Sequence, residues 1–242
     1  GPSITALYCD MPSREFSLVK ARLPSLSGQA VRTVYMGGGT PAMLGADGLA
    51  RLADTLAAQL PFDAVEEWTV ELNPASVTPG LLKALKTLGV NRLSIGTQSF
   101  DDATLVKIGR RHSAQDADRA VRLAQDAGFG NTGIDLIAGL PGVTSGMWLD
   151  TLQHALSLNL THLSVYALSL EPGTPLAAQA AAGLPIPDDA AQLEALGQAE
   201  ALLGGAGFGR YEISNYALPG RECLHNLGIW RGNDYLGLGP AA

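Results

Sequence analysis

The chain has 242 residues, 46% hydrophobic and 16% charged, enough apolar material for one α/β barrel-sized domain with a large core. Sixteen basic against twenty-three acidic residues leave a formal charge of -7 with no lysine or arginine run, so nucleic acid and anionic lipid surfaces are not expected partners. No stretch approaches the roughly 20 uninterrupted apolar residues of a membrane-spanning helix, and Gly1-Pro2-Ser3 reads as a cloning scar rather than a secretory leader, so the expectation is a soluble, cytoplasmic protein.

The two cysteines, Cys9 and Cys223, do not make a disulfide framework, and a globule of this size needs none. From about residue 31 onward, short β-branched runs alternate with longer helical patterns, as in a parallel sheet built from βα units. The expected strands are Val31 to Met36, Trp68 to Leu72, Arg92 to Thr97, Thr132 to Ile137 and Leu163 to Leu168, each mostly apolar. The first helix is expected over Asp47 to Leu60, with Leu49, Leu52, Leu56 and Leu60 on one stripe. The second starts at Thr78 as N-cap with Pro79 at the first helical position, and stops at Gly89. Ser113 caps a third that closes at Gly128, Thr144 or Ser145 begins a fourth, and Asp188 opens a fifth. The Pro-, Gly- and Ala-rich stretch 171–187 reads as a connecting loop with a helical turn at its Ala-rich centre. One more strand is expected over Tyr211 to Tyr216, before a glycine-rich tail.

Polar or glycine residues recur at the carboxyl ends of these strands, where parallel α/β sheets build their sites. They are Gly37-Gly38-Gly39-Thr40-Pro41 after the first, Glu71 and Asn73 at the second, Gln98 after the third, and Asp135 within the fourth. Each has a plainer reading. The glycines and proline suit a tight turn. Glu71 or Asp135 suits a structural carboxylate paired with Arg92 or Arg110, and Gln98 suits a cap. Four strands presenting hydrogen-bonding groups at the same end favour a binding site over all three.

The segments Gly37 to Pro41, Glu71-Leu72-Asn73-Pro74, Gly89 to Phe100 and Asp135 to Pro141 resemble, in order, those of the oxygen-independent coproporphyrinogen oxidase-like radical S-adenosylmethionine (SAM) family. The resemblance continues through Ser164 to Leu168 and Tyr211 to Gly239, nearly the whole chain. It implies a partial, open (β/α)6 barrel of the TIM-like type lacking its first strand, with residues 1–170 as barrel core and 171–242 as the end of the same domain. The family's smaller C-terminal domain is not expected here. It also implies a [4Fe-4S] cluster that passes an electron to the SAM sulfonium. Gly38, Gly39 and Thr40 would bind the methionyl amine, and Arg110 its carboxylate. Glu71, Gln98 and Asp135 would hold methionyl or ribose groups, and Ala167 and Tyr8 would meet adenine.

The family's cluster loop reads C-x-x-x-C-x-Y-C-D-F. Tyr8-Cys9-Asp10-Met11 matches its end, but Pro2 and Ala6 stand at the earlier cysteine positions, so Cys9 is one ligand of an incomplete set. The run Cys223-Leu224-His225-Asn226-Leu227-Gly228-Ile229-Trp230 resembles the H-N-x-x-Y-W signature of the family's heme-chaperone branch, with Ile229 in place of tyrosine. By that resemblance His225, Asn226 and Trp230 bind heme, through an imidazole ligand and an indole beside the macrocycle. Three functions stand: a heme-binding chaperone delivering heme to an acceptor protein, an oxidase decarboxylating coproporphyrinogen III, and an inactive SAM-binding fragment.

Overall fold

The computed structural model of the protein describes residues 4–26 and 28–239, with only the backbone of Ile4. The readings made on Gly1 to Ser3, including Pro2 as a vacant cysteine position, lie outside the described residues. The fold is α/β with a mostly parallel, open sheet, as the sequence implies. Its strands are β1 (Thr33–Met36), β2 (Glu67–Leu72), β3 (Arg92–Gln98), β4 (Thr132–Ala138), β5 (His162–Ala167), β6 (Gly209–Arg210) and β7 (Asn215–Ala217), in the order β1-β2-β3-β4-β5-β7-β6. The pairs β1–β2 and β4–β5 are parallel, while β7 runs antiparallel to β5 and β6.

The chain forms two compact units, and β3 is divided between them after Leu93. Among the described residues, the first comprises 4–26, 28–72, 76–93 and 223–239. It contains β1, β2 and the helices α1 (Ile4–Arg22), α2 (Gly45–Ala57), α3 (Pro79–Thr87) and, numbered last in the chain, α9 (Leu224–Trp230). Its core joins Phe16, Leu49, Val70, Leu82, Leu85 and Leu93, each at most 2% exposed. At about 1.5–3 kcal/mol per buried large apolar side chain, such residues fix which face of each helix turns inward. Thr78 caps α3 by accepting from the Leu81 amide at 3.2 Å, with Pro79 at the first helical position, as its sequence predicts.

The second unit, residues 73–75 and 94–222, holds the rest of β3, β4 to β7, and α4 (Asp102–Lys107), α5 (Ala114–Asp126), α6 (Ser145–Ser157), α7 (Pro175–Ala181) and α8 (Asp189–Gly205). Ser113 and Asp116 close a reciprocal capping box on α5, and Gly128 ends it at φ +81°. Thr144, not Ser145, caps α6 through the Met147 amide.

Several elements differ from expectation, including the short helices α4 and α9, which the sequence reading did not contain. Residues 4–11, matched in sequence to the family's cluster loop, lie in α1 (Ile4–Arg22), where Cys9, Pro12 and Phe16 at i, i+3 and i+7 make one buried stripe. Of the expected strand Tyr211 to Tyr216 only Asn215 and Tyr216 lie in a strand, β7, while β6 ends just before it at Arg210. The Glu212 carboxylate accepts from the Ser214 amide and from the Asn215 side chain, so this stretch turns instead of extending. The first expected helix is shifted to Gly45–Ala57.

Candidate functional site

In the first unit the glycine-rich turn follows β1 directly. The Glu71 carboxylate, near the end of β2, accepts from the Gly38 amide at 3.1 Å and from the Tyr35 hydroxyl at 2.7 Å. Glu71 is therefore held by these two donors. A Cβ added at Gly37 would lie 2.6 Å from the Glu71 carboxyl carbon, so glycine is required for this approach. Gly38 is glycine for a different reason, its φ of +82°, and a Cβ at Gly38 or Gly39 would meet nothing within 4 Å. Thr40 precedes the 3-10 turn Pro41–Leu44.

The same unit carries α9. The His225 ring is half-buried, its Nδ1 lies 3.0 Å from the Thr33 hydroxyl, and it stacks on Tyr35 at 5.2 Å between centroids. Burial lowers the His225 pKa from its ordinary value, with the Glu67 carboxylate pulling the other way. Asn226 and Trp230 fall four residues apart on α9, and the Trp230 side chain is 60% exposed. Tyr35 thus touches both Glu71 and His225. Reading its strand only as an apolar run missed it; a phenol placed two residues before Gly37 was the available signal.

Tyr8 and Cys9 lie on α1. Tyr8 is 40% exposed, whereas Cys9 is fully buried and donates to the Gly48 carbonyl at 3.3 Å. Burial raises the Cys9 pKa, partly offset by Arg51. Ala6 is helical as well.

In the second unit Gln98 ends β3 at φ +69°, a left-handed conformation uncommon for a residue with a side chain. Asp135 on β4 accepts from the Ser94 hydroxyl at 3.1 Å. Arg110 is pushed below its ordinary pKa by burial, an effect that the Asp135 charge opposes, so these two predicted residues sense one another. Ala167 ends β5 beside a depression of about 300 Å³ that Asp189, Gln192, Leu193 and Leu196 also line.

Residues 8–155 match the Radical SAM superfamily. The chain belongs to this family. Over 215 residues it is 40% identical to "Heme chaperone HemW" of Escherichia coli (strain K12), covering 89% of this chain and 56% of that protein. It is 42% identical over 219 residues to "Radical S-adenosyl methionine domain-containing protein 1, mitochondrial" of Bos taurus, covering 90% and 50%. The solved coproporphyrinogen III oxidase HemN of Escherichia coli, a radical SAM enzyme, superposes with a TM-score of 0.79 at 28% identity, covering 94% of this chain and 51% of that one. The chain spans about half the length of these relatives. Within the radical SAM family it falls in the HemW- and HemN-like branch.

The donor sets respond differently to the groups this family uses. A methionyl ammonium needs acceptors, and the Glu71 carboxylate beside the open backbone of Gly38 and Gly39 fits that need. A [4Fe-4S] cluster needs thiolates, and the residues present do not fit it. Only two cysteines exist, Cys9 is sequestered in a helix seam, and burial pushes the Cys223 thiol up to about 11. In this structure the Cys9 thiol packs on α2 and donates to the Gly48 carbonyl; its reading as one ligand of an incomplete cluster set stays an expectation from the resemblance. For heme iron, an imidazole kept neutral by burial and anchored through Nδ1 is suitable chemistry.

Proposed function

We propose that the chain is the radical SAM portion of a heme-binding chaperone, which holds heme through His225 and passes it to an acceptor protein. The observation that supports this most is the His225 ring, stacked on Tyr35 with Nδ1 at Thr33, in a chain 40% identical to a heme chaperone. Heme supplies an iron atom that takes a nitrogen ligand. The residues supply the rest: Thr33 orients the imidazole, burial favours its neutral form, and the exposed Trp230 indole offers an apolar face for a porphyrin.

SAM binding belongs to the same proposal. Glu71 and the backbone of Gly38, Gly39 and Thr40 take the methionyl amine. Tyr8, Gln98, Arg110, Asp135 and Ala167 are assigned to SAM on the resemblance alone. The oxidase reading finds support in the likeness to HemN, but it requires electron delivery through a cluster that this cysteine set does not fit. Cytoplasmic location is likewise part of the proposal; among the described residues no helix is long and apolar enough to cross a membrane.

Hemin titration into the purified chain tests the reading. A Soret band that shifts with saturation, and is lost or displaced in His225→Ala, is expected. No Soret change, or the same change in His225→Ala, overturns it.

A further inference from the structure

The first residue of β2, Glu67, is 4% exposed. Its Oε1 accepts from the Cys223 thiol at 3.3 Å and the His225 amide at 3.1 Å, and its Oε2 accepts from the Leu224 amide at 3.0 Å. A carboxylate this buried needs such donors. All three come from the residues that lead into the imidazole, so one side chain of the sheet ties down the backbone of His225.

The neighbouring strand supplies the remaining constraints. Thr33 is the register partner of Glu67 across the parallel β1–β2 pair, and its hydroxyl meets Nδ1 of the His225 ring. Tyr35, two residues further along β1 and hence on the same face, stacks on that ring. The imidazole is therefore fixed at three points: its backbone by Glu67, one ring nitrogen by Thr33, and one ring face by Tyr35. With Nδ1–H given to the Thr33 oxygen, Nε2 is the nitrogen left with a free lone pair.

We propose that Glu67 is a positioning residue for His225, which acts through the backbone of residues 223–225 to hold the ring against Thr33 so that Nε2 is presented to heme iron. The heme half of this inference rests on the function proposed above; the placement half does not. Outer partners of metal-binding histidines act in this way generally, and their loss costs about 10- to 100-fold in affinity.

The test uses the full chain with two readouts. Long-range proton–nitrogen NMR correlation of the His225 ring is expected to show the Nδ1–H tautomer, with the Leu224 and His225 amide protons shifted downfield by the carboxylate. In Glu67→Gln, those amide shifts should move upfield and the Nδ1–H form should lose population. The hemin Kd should rise about 10- to 100-fold, and Glu67→Asp should recover part of both effects. Unchanged ring-nitrogen shifts together with an unchanged Kd overturn the proposal. A purely structural role would lower unfolding stability while leaving the tautomer as it was.

If Glu67→Gln does not fold, Thr33→Val removes only the oxygen that orients Nδ1. The same direction of change is then expected in tautomer and Kd, and no change in either overturns the proposal. If the unaltered chain binds no hemin, the heme reading fails, and the NMR comparison alone decides whether Glu67 positions the ring.

Discussion

The Cys9 thiol donates to the Gly48 carbonyl at 3.3 Å, on the buried seam where α1 packs against α2. Burial raises its pKa, and burial raises that of Cys223 to about 11. Both thiols should therefore resist modification in the native protein at mildly alkaline pH, because the thiolate is the reactive form. Ellman's reagent is expected to react slowly until denaturant is added, after which two thiols appear. Rapid labelling of either cysteine in the folded chain would contradict the seam.

Iron chemistry should follow the same limitation. After anaerobic reconstitution with iron and sulfide, the unaltered chain is expected to hold no stoichiometric cluster. The double variant Pro2→Cys with Ala6→Cys, which completes the family's cysteine spacing, should gain iron, sulfide and the broad visible absorption of a cluster. Equal iron and sulfide in both proteins would show that Cys9 and Cys223 suffice.

Gly37→Ala separates binding from stability. The added Cβ would overlap the Glu71 carboxylate at 2.6 Å, but that group is the far end of a flexible side chain and can swing away. Urea unfolding should change by about 1 kcal/mol or less. Swinging away breaks the hydrogen bonds to Tyr35 and Gly38, so SAM affinity measured by calorimetry should fall by about tenfold, the equivalent of losing one hydrogen bond near 1.4 kcal/mol. Undiminished SAM affinity would remove Glu71 from the methionyl site.

Gly133→Ala should behave in the opposite way. There an added Cβ would lie 3.0 Å from both the Cβ and the backbone oxygen of His162, its register partner on β5, and the backbone of paired strands cannot step aside. Overpacking of this kind costs about 1–3 kcal/mol. A fall of that size in unfolding free energy is expected, and an unchanged midpoint would show that β4 and β5 can separate locally.

Stability should decline on mild acidification. His112 is 3% exposed, its Nε2–H donates to the Thr97 carbonyl at 3.0 Å, and burial lowers its pKa while that hydrogen bond acts in the other direction. The unfolded chain thus takes up protons first, near the ordinary histidine value of about 6.5. Stability is full above that value and falls as pH drops toward the folded pKa, by at most about 1.4 kcal/mol per pH unit for one histidine. His225 shifts in the same direction, whereas the lowered carboxylate of Asp116 matters only at pH values below this window. Urea unfolding between about pH 5 and about pH 7 should show this slope, and His112→Gln should flatten it.

The strands β1 to β5 were legible because their apolar runs are short, bounded by turn signals and spaced by amphipathic helices. Caps at Thr78 and Ser113 were legible because an N-cap is a local device whose donor lies three residues away. Helix α1 was not, since its interior Pro12 disfavours a helix and the contacts that offset it are tertiary: the buried stripe of Cys9, Pro12 and Phe16, and the Arg51 guanidinium of α2 on Asp10. The segment from Tyr211 failed for the reverse reason: residues with strand propensity yielded to the Glu212 hydrogen bonds.

By itself the amino-acid sequence determined the α/β alternation, the radical SAM segments and the shortage of cluster cysteines, because each is carried by residue identity and short-range spacing. Only the tertiary structure decided what those residues touch. Glu67 and His225 are 158 positions apart and meet because β2 and the start of α9 belong to the same compact unit. Tyr35 links Glu71 to His225 through strand register and helix packing, and neither can be read from local pattern. The burial of Cys9 is decided in the same way: its thiol is masked because a helix 39 residues away in sequence offers a carbonyl and an apolar face to cover it.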